Sequence, residues 1–132
     1  MLLRKYMSLI GIGSATVDLR LERETYQPGE TVLGTFLVMG GTIEQHVERI
    51  ECNLILTNLV EQTKKSIGST SVQVSKQLIA GEKIELPFFF IIPEDTPESN
   101  DDITYQFMTK MIFDEGFKSI DQDKITIKKV EE

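Results

Sequence analysis

Proton-transfer catalysis needs a group that titrates near neutrality, and the chain has one histidine, His46, set among Glu44, Gln45 and Glu48. A general base also requires an orienting partner and a nucleophile. The local sequence supplies neither, so His46 reads as a solvated surface residue. The one cysteine, Cys52, has no partner for an internal disulfide. It falls on the same strand face as Ile50, Leu54 and Leu56, which makes it a small core residue rather than a reactive thiol. Together His46 and Cys52 are too few for zinc, which takes three or four such ligands. Gly11-Ile12-Gly13 lacks both the preceding strand and the third glycine of a dinucleotide loop. No catalytic residue, cofactor or metal is assigned on these grounds.

The carboxylates are the remaining chemical resource. The net charge is −7, and residues 94–123 account for it, with nine Asp and Glu against Lys110 and Lys118. Such a balance disfavours nucleic acid and anionic bilayers, whose binding depends on Lys and Arg, and favours basic protein surfaces or hard cations. The candidate acidic positions are Asp95, Asp101, Asp102, Asp121 and Asp123. Neighbours such as Asp101-Asp102 and Asp114-Glu115 diverge to opposite faces if they lie on strands. Calcium takes six to eight oxygens, which the stretches 94–102 and 114–123 would have to pool. If these are loops at opposite ends of one strand, they cannot share an ion, and two separate solvated acidic loops are the expectation.

The elements that position these groups are strands. Ala15, Val17, Leu19 and Leu21 alternate with Thr16, Asp18, Arg20 and Glu22, the period of a half-buried strand. A Tyr26-Gln27-Pro28-Gly29-Glu30 turn leads to a strand over 31–39, in which Gly34 marks a bulge or a close backbone approach. A third strand covers 47–59. Residues 61–71 read as a loop or twisted hairpin, and Val72, Val74, Lys76 and Leu78 as a weakly patterned edge strand. Ile84, Leu86, Phe88, Phe90 and Ile92 form the inner face of the next, whose outer Pro87, Phe89 and Ile91 call for a cover on that side as well. Pro87 must sit where no ladder N–H is needed. Ile103 to Phe113 and Lys124 to Val130 complete about seven strands. The class is all-β, an antiparallel two-sheet sandwich over 15–132. Residues 1–14, with Leu3, Met7 and Ile10 at helical spacing, read as a short amphipathic helix. No apolar run is long enough to span a bilayer.

Several features in order resemble the SpoOM family of sporulation-control proteins, within the wider arrestin-like group. They are Gly11-x-Gly13-x-Ala15 before Val17-Asp18, Tyr26-x-Pro28-Gly29-Glu30, Gly34, Gly40-Gly41, Val47-x-Arg49-Ile50, Gly81-Glu82-x-Ile84-x-Leu86-Pro87-Phe88-x-Phe90 and Pro93-x-Asp95-Thr96-Pro97. The resemblance implies a bacterial, cytoplasmic, non-enzymatic regulator on an arrestin-type sandwich that works through protein partners. Family members generally continue into a second sandwich domain, so the chain is expected to be either an isolated N-terminal domain or a short single-domain relative. It has Ile112 where the family usually carries an Asp, and Asp121 and Asp123 match only the last two carboxylates of the family's D-P-x-D-x-D turn.

The leading expectation is a protein-interaction module that adds a partner strand to the edge at Val72, Val74, Lys76 and Leu78. Self-association through that edge, giving a homodimer, is a second form of the same mechanism. The alternative is a carrier, holding calcium at the acidic residues or an apolar molecule beside Phe88, Phe89, Phe90 and Phe107.

Overall fold

The computed structural model describes residues 13–116 and 118–130. The helix read over 1–14 falls almost wholly outside them. Eight strands follow in order: β1 (Thr16–Leu21), β2 (Thr25–Tyr26), β3 (Thr31–Met39), β4 (Gln45–Asn58), β5 (Thr63–Leu78), β6 (Lys83–Ile91), β7 (Ile103–Phe113) and β8 (Lys118–Ile127). They form a three-stranded sheet, β1-β3-β6, and a five-stranded sheet, β2-β8-β7-β4-β5. All ladders are antiparallel except the two-residue pairing of β2 with β8. The expected all-β two-sheet sandwich is thus the observed fold.

Three boundaries differ from the sequence reading. β2 is an eighth strand within the Tyr26 turn region, where Lys128 N donates to Tyr26 O at 2.9 Å. β5 begins at Thr63, so most of the expected loop 61–71 is strand and only a tight turn precedes it. β8 begins at Lys118 rather than Lys124. The physical cause is shared. Gly68 and Thr70 of β5, and Ser119, Asp121 and Asp123 of β8, occupy inward positions of the register. With small or polar residues there, the two-residue apolar period that reveals a strand is missing.

Between the sheets, alternate residues of both inner faces pack into one core. Phe36, Phe88, Phe107 and Phe90 form a chain of edge-to-face contacts with centroids 5.2, 5.4 and 5.4 Å apart. Each such pair adds about 0.5–1.5 kcal/mol beyond the area it buries. Gly34 is the close approach rather than a bulge. Both of its ladders run in unbroken register, and a Cβ there would lie 2.5 Å from the Arg20 carbonyl oxygen. Pro87 lies on β6, an outer strand, where a missing N–H costs no ladder bond. On the outer face of β6, Phe89 is 63% and Ile91 61% exposed. The cover expected for that face is not supplied by the described residues.

Candidate functional site

His46 lies on β4, half-buried, with Nδ1 3.2 Å from Gln77 Oε1 and Nε2 3.1 Å from Glu48. Its ring contacts are an amide and a carboxylate. Cys52 is fully buried on the inner face of β4, and the Thr109 hydroxyl donates to its sulfur at 3.4 Å. Burial pushes this thiol up to about 11, which keeps it protonated and poorly nucleophilic at neutral pH. Among the described residues, no hydroxyl or thiol is hydrogen-bonded to His46.

The acidic positions do not behave as two loops. Asp95, Asp101 and Asp102 are exposed in the connection between β6 and β7. Asp121 and Asp123 instead point inward from β8, opposite Thr109 and Phe107 of β7. There they meet a residue that sequence spacing gave no reason to include. Carboxylate oxygens of Asp18, Asp121 and Asp123 lie within 4.8 Å of one another, where β1 of the small sheet borders β8 of the large one. Asp121 accepts the Leu19 N–H at 2.8 Å and so ties the two sheets together. Asp123 Oδ2 is buried without a partner. Burial first, then the hydrogen bond and charge of Asp121 and the charge of Asp18, raise the Asp123 carboxyl to about 7. Calcium takes six to eight oxygens, so three carboxylates binding through one oxygen each would leave the rest of its shell to other groups, and one of the three is engaged by a backbone donor. Asp95, Asp101 and Asp102 are not part of this group.

The edge residues are also sorted by the structure. β5 is the outer strand of the five-stranded sheet and pairs only with β4. Its side chains at the named positions, however, face the core: Val72 and Val74 pack against it, and Leu78 is 1% exposed. Lys76 Nζ is 3.0 Å from Glu82. What β5 presents to solvent is therefore its backbone and the alternating Ser and Gln of the other face. Residues 68–73 run without interruption between two register shifts, one at Leu54/Ile55 and one at Val47/Arg49, the latter beside Ser75 with φ 46°. Of the aromatic residues named for an apolar ligand, Phe88, Phe90 and Phe107 fill the space between the sheets with one another, and Phe89 points outward.

A two-sheet β-sandwich with an open sheet edge, a carboxylate cluster at its seam and no assembled catalytic centre among the described residues defines the class. The chain belongs to the SpoOM protein family, whose model matches residues 3–131. It is 33% identical over 130 residues to the sporulation-control protein spo0M of Bacillus subtilis strain 168, which covers 94% of this chain and 50% of that protein. The crystal structure of Spo0M from Bacillus subtilis superposes with a TM-score of 0.81 at 33% identity, covering 90% of this chain and 51% of that one. The chain thus spans about half the length of these relatives. A Niemann-Pick type C2 protein from the Japanese carpenter ant matches with a TM-score of 0.60 at 12% identity, covering 87% and 93% of the two chains, and shares the fold alone. No helix among the described residues is long and apolar enough to cross a membrane.

Proposed function

We propose that this sporulation-control family member is a non-enzymatic, arrestin-like protein-interaction module that acts in the cytoplasm by adding a partner strand to β5. The observation that carries the reading is the open edge itself. β5 is 16 residues long, has one ladder neighbour, and offers the unpaired N–H and C=O groups of an uninterrupted stretch at 68–73. An incoming strand would gain main-chain hydrogen bonds there, and selectivity would come from the side chains flanking the edge. The same edge would serve a second copy of the chain in a homodimer.

The test compares partner capture by the wild-type domain and by Val74→Pro. Val74 lies in a register shift, the kind of position proline takes in sheets, and the ring removes an N–H and fixes φ at the margin of the open stretch. Loss of the captured partners by a variant that melts like the wild type is the expected result. Recovery of the same partners by both would count against the edge. Sedimentation at several concentrations distinguishes a homodimer from a heterologous complex.

A further inference from the structure

The ladder register sorts the charges of this acidic chain by face. On the outward side of the five-stranded sheet, Lys64 aligns with Thr57 and Thr104, Lys124 with Gln106, Lys110 with Glu51, and Arg49 with Ile112 beside Lys118. Arg49, Lys64, Lys110, Lys118 and Lys124 thus share one face with two strand carboxylates, Glu48, which His46 engages at 3.1 Å, and Glu51. Glu51 is likewise engaged, because Arg49 Nε lies 2.7 Å from it. Lys64, Lys110, Lys118 and Lys124 form no ion pair among the described residues. The carboxylates that make the chain acidic lie elsewhere. Asp121 and Asp123 turn inward, 94–102 is an end connection, and Asp114 and Glu115 lie in the turn between β7 and β8.

Two further features give this face the anatomy of a binding surface. An open groove of ~680 Å³ lies at one end of it, lined by Thr57, Thr104, Gln106 and Thr126 between Lys64 and Lys124, with Glu24 and Asn100 at its margin. Hydroxyls, an amide and flanking ammonium groups suit carboxylate ligands. Beyond the groove, Ile55, Met108, Ile112 and Ile120 face outward among the cations, and Ile120 is 55% exposed. Apolar residues within a charged rim are the pattern of a protein interface.

We infer that the outer face of the five-stranded sheet docks an acidic polypeptide segment, with its carboxylates on Lys64, Lys110, Lys118 and Lys124 and its apolar side chains on Ile112 and Ile120. A short acidic segment lies within a Debye length, ~8–10 Å, of these lysines and senses the local positive face. A duplex or an anionic bilayer is larger than the face and meets the rest of a chain of net charge −7, including the exposed Asp101 and Asp102 beside the β4–β5 turn, where Leu59 N donates to Asp102 O at 2.8 Å. Among the described residues the face also carries no Phe, Tyr or Trp on which a nucleobase stacks.

This assignment rests on the reading of the domain as a protein-binding module and names the partner's chemistry. It is tested with a fluorescent peptide of about twelve residues, alternating glutamate and valine, and a counterpart with glutamine for glutamate, by anisotropy at low and moderate salt. The acidic peptide is expected to bind in a salt-sensitive way and the glutamine peptide not to. The double variant Lys110→Glu/Lys124→Glu should weaken binding about five- to ten-fold, since exposed ion pairs are individually weak. Lys83→Glu, on the other sheet, should leave it unchanged. No binding at low salt, equal binding of the two peptides, insensitivity to the double reversal, or tighter binding to duplex DNA or phosphatidylserine vesicles would overturn the inference. The two readings fail separately. Val74→Pro disturbs the edge without touching these lysines, and the lysine reversal leaves the edge backbone intact.

Discussion

The Phe90 ring of β6 lies directly against Gly68 of β5, where a Cβ would stand 2.6 Å from the ring's Cζ. β5 and β6 are outer strands of different sheets and share no hydrogen-bonded ladder. Ring-on-backbone packing therefore closes the sandwich along that flank. Phe90 is held from behind by Phe107, 5.4 Å away, and has little room to retreat. Gly68→Ala is expected to lower stability by about 1–3 kcal/mol through overpacking. Its exposed neighbour Ser69→Ala should change stability by less than about 0.5 kcal/mol. Denaturant midpoints of the two variants check the difference.

Asp123 should give the fold an unusual pH dependence. Its carboxyl is raised to about 7 in the folded chain from an ordinary value of 3.8, so the native state binds the proton more tightly than the unfolded one. That stabilisation is fully present below about pH 4 and is lost as pH rises through about 7. Glu30 and Glu82, held low by Arg23 and Lys76, act in the opposite sense and only in the acid range. The melting temperature is expected to fall by a few degrees between pH 5 and pH 8. Asp123→Asn, which mimics the neutral form, should flatten that slope.

Cys52 should be silent toward thiol reagents in the folded protein. It is fully buried and its thiol is pushed up to about 11. At pH 8 a disulfide-exchange reagent is expected to find no thiol in the native chain and one after denaturation. Rapid native labelling would show that β4 opens readily.

Tyr105 ties the β6–β7 connection to the core. Its hydroxyl donates to Pro97 O at 2.6 Å while the ring is 2% exposed. Tyr105→Phe keeps the packing and deprives a part-buried carbonyl of its donor, so a loss of about 1–2 kcal/mol is expected. Faster proteolysis within residues 94–102, measured alongside the melting temperature, should accompany it.

Strands whose inward residues are large and apolar were legible from the sequence: β1, β3, β4, β6 and β7 all show the two-residue period. β8 was half legible, because Ile125 and Ile127 keep the period and Asp121 and Asp123 break it. β5 was legible only from Val72 onward, since Gly68 gives the hydrophobic pattern nothing to register, and its size is what the Phe90 contact needs. No spacing signal joins Asp18 to Asp121, which are more than a hundred residues apart and meet through the packing of β1 on β8.

The class of fold and the supply of one histidine and one cysteine are readable from the residues alone, because periodicity and residue type are local properties. The tertiary structure decided where the charge lies. Net charge is a sum without direction, and only strand pairing assigns each side chain to a face. Pairing turned Asp121 and Asp123 inward to the seam with Asp18 and gathered Lys64, Lys110, Lys118 and Lys124 on the outer face of the larger sheet. A chain that is acidic in composition consequently presents a positive surface on one side.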